Sequence, residues 1–157
     1  MNYRSALFLI LFAVVFAAGF PRAQGATPPD PCKVITKQAA STAIGGPITS
    51  IQARNLGTST NCSFKGAKLF RWVQITTFRY GSPSEAKSTF ERTLMQTASM
   101  LGPTAPVSGI GDQAARTPAS LYVLHGDAVF VFAVVDGTVG PGRVAKAIVL
   151  AKKASLR

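Results

Sequence analysis

The sequence has few of the side chains that carry out most enzyme chemistry. Its 157 residues include 6 acidic residues, 1 histidine and 2 cysteines. The single histidine, His125, adjoins Gly126 and Asp127 in a turn-like segment, so an acid–base or metal site there would need partners from elsewhere in the chain. We therefore expect no metal site and no cofactor, and we expect His125 to be an exposed turn residue.

Motifs that mark a nucleophile or a nucleotide site are also lacking. No serine occupies a Gly-x-Ser-x-Gly elbow, and we expect both cysteines to be committed to a disulfide. Residues 109–114 (Gly-Ile-Gly-Asp-Gln-Ala) match the dinucleotide pattern G-x-G-x-x-G/A, which needs a buried strand before it and a helix after it. A loop containing proline precedes this segment and a strand-like segment follows it. We interpret the glycines as a turn in which Asp112 accepts hydrogen bonds from backbone amides.

These absences favour a protein that is not an enzyme. A hydrolase is the least favoured alternative, and it would require His125 to meet Asp112 or Asp136 in a pocket.

The N-terminus has the pattern of a signal peptide. Arg4 provides a positive start, residues 7–20 are apolar, and residues 23–25 (Ala-Gln-Gly) are small enough for a signal peptidase. We expect residues 1–25 to be removed and the protein to be exported to the periplasm or the medium. An uncleaved anchor is the alternative, but the segment from Ser5 to Phe20 spans roughly 16 residues, which is shorter than the roughly 20 that a spanning helix needs. After cleavage we expect no membrane span.

The mature chain has the length of one domain. Residues 26–31 are rich in proline and predict an extended lead-in, and residues 32–157 predict a single domain. In an exported chain, Cys32 and Cys62 predict one disulfide. They lack the Cys-x-x-Cys spacing of a redox catalyst, so we expect a structural bond.

The mature chain is also strongly basic. The full sequence has a net charge of +11, and loss of Arg4 and Arg22 with the signal peptide leaves 15 basic and 6 acidic residues, or +9. Such a field favours anionic partners such as phosphorylated or carboxylated envelope polymers, lipid head groups or nucleic acid. Apart from Lys152-Lys153 and Arg157 near the C-terminus, the basic residues are dispersed. We predict no dedicated nucleic-acid-binding segment.

Residues 68–80 have the two-residue period of a long strand. The aromatic residues fall mainly on one face of this strand, and they are Phe70, Trp72, Phe78 and Tyr80. We expect this face to be the core face. Arg71 and Arg79 lie at the two ends of the other face. We predict a candidate site of Arg71, Arg79 and Trp72, in which the arginines bind an anion and the ring stacks on a ligand. The competing interpretation, which this pattern favours, is solvated arginines and a core tryptophan.

The rest of the pattern predicts an α+β fold. Ser82, Pro83 and Glu85 mark the start of a helix that ends near Gly102, and helices are also predicted after Thr36 and near the C-terminus. Residues 128–135 predict a long buried strand in a central position. We predict one antiparallel sheet of five to six strands packed with two to three helices, and one disulfide.

Four short segments resemble exported bacterial proteins of unknown function. They are residues 30–36 (Asp-Pro-Cys-Lys-Val-Ile-Thr), 45–47 (Gly-Gly-Pro), 62–64 (Cys-Ser-Phe) and 107–114 (Val-Ser-Gly-Ile-Gly-Asp-Gln-Ala). Some of these proteins are similar to actinobacterial lipoproteins and to the extracellular sensor domain of the mycobacterial kinase PknH. The resemblance implies a disulfide-bonded α+β domain with a ligand groove between sheet and helices. It supplies no catalytic residue, and this chain lacks the lipid-attachment cysteine of the lipoproteins.

Two functional hypotheses follow from the sequence. The leading one is an exported, non-catalytic domain that binds a small ligand or an anionic envelope component on an open sheet face. The alternative is a structural or interaction protein that its charge tethers to an anionic surface.

Overall fold

The computed structural model describes residues 29–137 and 141–154, so the predicted signal peptide lies outside the described residues. A short 3₁₀ turn at Pro31–Lys33 is followed by three α-helices and seven strands. In chain order these are α1 (Lys37–Ile44), β1 (Ile48–Asn55), β2 (Ser59–Gly66), β3 (Arg71–Arg79), α2 (Pro83–Leu101), β4 (Ala105–Pro106), β5 (Gln113–Arg116), β6 (Leu121–His125), β7 (Ala128–Asp136) and α3 (Gly142–Lys153). None of the helices in the described ranges is long and apolar enough to cross a membrane.

All seven strands form one sheet in the order β1-β2-β3-β7-β6-β5-β4, and each neighbouring pair is antiparallel. The α+β class and the single antiparallel sheet are confirmed, as is the central position of β7. The predicted number of five to six strands is wrong. The extra strand, β4, consists of Ala105 and Pro106 alone, which is too short to show a period. Its proline suits a sheet edge because proline donates no ladder hydrogen bond.

One face of the sheet is covered by α1 and α3, and we call it the α1/α3 face. Its centre on β3 is Val73, Ile75 and Thr77, each 0% exposed. The neighbouring strands and both helices contribute the other core side chains, which include Ile44, Phe64, Leu121, Val123, Phe130, Phe132, Val134, Ala147 and Leu150. The main apolar core therefore lies on this side of the sheet.

The opposite face carries α2, and we call it the α2 face. Trp72 and Phe78 lie on this face of β3, and Tyr80 directly follows β3 in the same alternation. All three aromatic side chains are half-buried. The prediction that the aromatic face of β3 is the main core face is therefore wrong. Two helices pack over the compact β-branched side chains of the α1/α3 face, whereas α2 is the one described helix on the other face, where it covers part of the surface and leaves the larger rings at the rim.

The predicted disulfide joins Cys32 to Cys62. Cys62 is fully buried on β2, and Cys32 lies in the 3₁₀ turn, where its backbone N–H donates to Asp30 Oδ1 at 2.9 Å. The bond therefore ties the first residues of the domain to the interior of the sheet.

Removal of this disulfide should lower stability. The bond closes a loop with a sequence separation of 30 residues, which corresponds to roughly 3 to 4 kcal/mol in the chain-entropy account. The double variant Cys32→Ala, Cys62→Ala should lose about that much free energy of unfolding in urea titrations. A loss below about 1 kcal/mol would show that the bond adds little constraint to the unfolded chain.

Candidate functional site

Helix α2 begins where its sequence predicts. Ser82 Oγ accepts a hydrogen bond from the backbone N–H of Glu85 at 3.1 Å, and Glu85 Oε2 accepts one from the N–H of Gly81 at 2.9 Å. Both bonds use backbone donors that the start of the helix would otherwise leave unpaired. Ala86 and Phe90 are the most deeply buried apolar residues of α2, and the helix packs on β6 and β7.

A cavity of about 260 Å³ lies between α2 and the sheet, and we call it the α2 cavity. Aromatic rings, valines and threonines line it: Thr76, Phe78, Tyr80, Phe90, Thr93, Tyr122, Val129 and Val131. Its volume is slightly below that of pockets for drug-sized ligands. It therefore suits a ring or a short apolar chain that belongs to a larger molecule. The threonines and tyrosines of the cavity offer hydroxyl groups for hydrogen bonds to such a ligand.

The hydroxyl group of Thr76 is held in place by a neighbouring strand. Asn61 on β2 lies opposite Thr76 in the strand register, and its Nδ2 donates to Thr76 Oγ1 at 2.9 Å. A threonine hydroxyl that accepts one hydrogen bond can still donate its own proton. Thr76 can therefore present a donor to a ligand in the α2 cavity.

The environment of Tyr80 keeps its phenol protonated. Burial raises the pKa of Tyr80 above its ordinary value of 10.0, and the nearby carboxylate of Glu85 raises this pKa further. The positive charge of Arg92 lowers it, but by less. At neutral pH the cavity wall therefore contains a neutral hydroxyl donor at Tyr80.

Beyond α2, part of the α2 face is covered by no helix of residues 29–137 and 141–154. We call this the open face and define it by five residues on the α2 face of the central strands: Lys65, Trp72, Gln74, Ala133 and Val135. Lys65 is exposed, and the other four are half-buried. Trp72 lies between Lys65 on β2 and Val135 on β7 in the strand register. The open face thus places a cation, an aromatic ring and an aliphatic side chain in one row.

The charge around this face is positive. On the α2 face of β1, β2 and β3 the charged side chains are Arg54 and Lys65, and residues 31–84 contain no aspartate or glutamate. Exposed cations on such a surface attract anionic groups.

The structure does not bring the three predicted site residues together. Arg71 and Arg79 lie on the α1/α3 face, whereas Trp72 lies on the α2 face. Arg71 Nη1 donates to the carbonyl oxygens of Ile44 and Gly45 at 2.7 and 3.0 Å, which satisfies the C-terminal end of α1.

Arg79 also has a partner within the fold. Its Nε donates to Asp127 Oδ2 at 2.8 Å. Arg79 lies eight positions after Arg71, which corresponds to about 26 Å along a strand. Of the predicted trio, Trp72 alone lies on the open face.

Several residues of the α2 cavity were not predicted. Thr76 and Tyr80 lie four and eight positions after Trp72, so the two-residue period of the strand places them on the same face as Trp72. Their place beside Trp72 could therefore have been predicted from the sequence. Thr93 lies three residues after Phe90 on one helix face, which is also a readable pattern. Tyr122 and Val131 come from other strands, and no local pattern could have paired them with α2.

His125 lies at the end of β6 and is half-buried, so the prediction of an exposed residue is wrong. Its Nδ1 is buried and has no hydrogen-bond partner within residues 29–137 and 141–154. The two aspartates considered for a role beside it have other partners: Asp112 Oδ2 accepts from Gly126 N at 2.6 Å, and Asp136 is bonded to Lys146. In those same ranges no group of three His, Cys, Asp or Glu residues could hold a metal ion.

The glycine turn has a packing role. Gly111 has a φ of 55°, and a Cβ atom there would lie 2.4 Å from the carbonyl oxygen of Leu124. The backbone N–H of Asp112 donates to the same oxygen at 2.8 Å. The segment is thus a turn bonded to β6, and the predicted contact of the Asp112 carboxylate with a backbone amide is confirmed.

Comparison with known proteins adds no family assignment. No protein-family model matches the chain, and no curated protein matches it at a significant level. The resemblance to exported bacterial proteins of unknown function therefore stays a prediction.

The raised pKa of Tyr80 predicts a loss of stability at high pH. Above pH 10 the unfolded chain releases the phenolic proton while the folded protein still holds it. This contribution is fully present below pH 10 and is lost as the pH rises through the folded pKa. Urea unfolding of Tyr80→Phe should show a shallower fall of stability above pH 10 than the wild type. The lysines titrate in both proteins and lower both stabilities alike. If the two curves of stability against pH fall in parallel above pH 10, the attribution of this pH dependence to Tyr80 is contradicted.

Proposed function

We propose that this protein is an exported, non-catalytic domain that binds a ligand or an anionic envelope component through the open face and the α2 cavity. The observation that carries the proposal is the line of apolar side chains that joins the two. Val131 lines the cavity, and Ala133 and Val135 follow it on the same face of β7, half-buried. From Val131 to Val135 this line extends about 13 Å.

Both ends of the line have chemistry that could recognise a ligand. At one end, Thr76 and Tyr80 offer hydroxyl donors within an apolar cavity. At the other, Trp72 offers a ring for stacking, and Lys65 beside it offers a positive charge. A molecule with an apolar part and an anionic group would use both ends. This chemistry favours an envelope component with an apolar portion over a purely polar polymer.

Electrostatic tethering without a pocket is the alternative, and salt distinguishes the two. Contacts between exposed charges are screened within about 8 Å at physiological ionic strength. A ligand that buries apolar surface loses far less affinity as salt increases. Persistence of binding in salt is therefore the deciding property.

The test is a binding panel of peptidoglycan, lipopolysaccharide, anionic lipid and DNA across a salt titration. The protein is residues 26–157, which contain every described element. We expect binding to one member other than the lipid to persist at high salt, and we expect Thr93→Phe to weaken that binding at least about tenfold, because a ring at this position fills the cavity. Gln96→Phe is the matched control, since it adds the same ring at an exposed position of α2.

Two outcomes would contradict the proposal. Uniform binding to all members that collapses with salt would favour electrostatic tethering, and equal affinity of Thr93→Phe and the wild type would exclude the cavity as the site. Turnover of any substrate that His125→Ala abolishes would contradict the non-catalytic assignment.

A further inference from the structure

The turn between β2 and β3 exposes two consecutive large apolar side chains. Leu69 is 86% exposed and Phe70 is 76% exposed. The strand was predicted to begin at Lys68, but β3 begins at Arg71. Both side chains therefore project from residues 67–70, which we call the tip. Single exposed apolar residues are common on protein surfaces, whereas adjacent ones mark interaction sites more often.

The base of this hairpin is fixed to the domain. A Cβ atom on Gly66 would lie 2.6 Å from Ile44 Cδ1, so glycine permits close contact with the end of α1. The backbone N–H of Ala67 donates to the carbonyl oxygen of Pro47 at 3.2 Å. On the other side of the tip, Arg71 holds the carbonyl of Ile44. Leu69 and Phe70 are therefore presented from an anchored base.

Neither folding nor core packing requires an aromatic residue at the tip. Phe70 has a φ of 58° and is the one non-glycine residue with positive φ in the described part of the chain. Glycine and asparagine adopt this conformation with less strain than a bulky side chain. Since the ring is exposed, its packing within the domain does not offset that strain. Strained and exposed side chains of this kind are found at functional surfaces.

Positive charge surrounds the tip. Lys65 and Lys68 are exposed, and Arg71 follows directly. Asp136 lies opposite Arg71 in the strand register, but it is buried and bonded to Lys146. The tip therefore combines an apolar end with a cationic border.

We propose that Leu69 and Phe70 insert into the surface of a lipid bilayer that contains anionic lipids. The two apolar side chains would enter the boundary between head groups and acyl chains, and Lys65 and Lys68 would meet the anionic head groups. Trp72 lies two residues after the tip, and tryptophan favours this interfacial depth. A sugar polymer or a nucleic acid would engage the lysines but would bury little of Leu69. The inference shares Lys65 and Trp72 with the open face, but it uses no residue of the α2 cavity and does not depend on it.

The experiment uses protein exported by cells that express the full chain, with Trp72 as reporter, since the sequence has 1 tryptophan. At about 0.15 M salt, we expect the protein to sediment with mixed vesicles of phosphatidylcholine and phosphatidylglycerol. We expect its fluorescence to shift to shorter wavelength and to be quenched by bromine-labelled acyl chains. Vesicles of phosphatidylcholine alone should bind it far more weakly.

Substitutions at the tip separate insertion from charge. Leu69→Ser and Phe70→Gly should each weaken vesicle binding by about tenfold, as expected for loss of one buried apolar side chain. Phe70→Gly relieves the positive φ, so its melting temperature should not fall, and its lost binding cannot come from misfolding. Leu56→Ser is the matched control. Leu56 is 63% exposed in the turn between β1 and β2, at the opposite end of these strands, and its substitution should leave binding unchanged.

Two results would overturn the proposal. One is no binding of the wild type to the mixed vesicles, which would also be the outcome if Leu69 and Phe70 dock on a protein instead. The other is wild-type affinity of both tip variants, which would reduce the interaction to charge. Thr93→Phe should bind vesicles as the wild type does. The α2-cavity proposal is therefore tested by Thr93→Phe, and the membrane proposal is tested separately by Leu69→Ser and Phe70→Gly.

Discussion

β3 and β7 pair antiparallel at the centre of the seven-stranded sheet, from Arg71 opposite Asp136 to Arg79 opposite Ala128. The rest of the structure depends on this pairing. It places Val73 beside Val134 and Ile75 beside Phe132 beneath α1 and α3, where apolar burial is most complete. Because side chains alternate along each strand, the same register also sets which residues appear on the other face.

The alternation of side chains gives neighbouring residues different roles. Arg71 bonds to the end of α1 on one face, and Trp72, the next residue, lies on the open face. Helix α2 covers the α2 face over β6 and β7, so that face has a cavity beneath the helix and an open surface beside it. The tip extends the same hairpin beyond the sheet. In the account proposed above, one face supplies stability, and the other face and the tip supply binding.

Local signals in the sequence predicted local structure well. The disulfide followed from two cysteines in a chain predicted to be exported, the start of α2 from Ser82 and Glu85, and the position of β7 from its continuous apolar run. The choice of the main core face failed, because a two-residue period shows that a strand has two faces but not which one two helices will cover. The cavity could be predicted only in part, since Tyr122 and Val131 meet α2 through strand pairing that is distant in sequence. Phe70 was assigned to β3 because its positive φ leaves no trace in an aromatic, strand-like pattern.

The account is tested most directly by comparing Arg71→Ala with Trp72→Ala, two adjacent substitutions on opposite faces of β3. The measurement is the salt-resistant affinity of each variant for the envelope component that the wild type binds, with urea unfolding measured alongside. The account predicts that Arg71→Ala loses about 1 to 3 kcal/mol of stability and keeps the affinity of the wild type, while Trp72→Ala loses affinity. Retained affinity in Trp72→Ala together with lost affinity in a folded Arg71→Ala would contradict it.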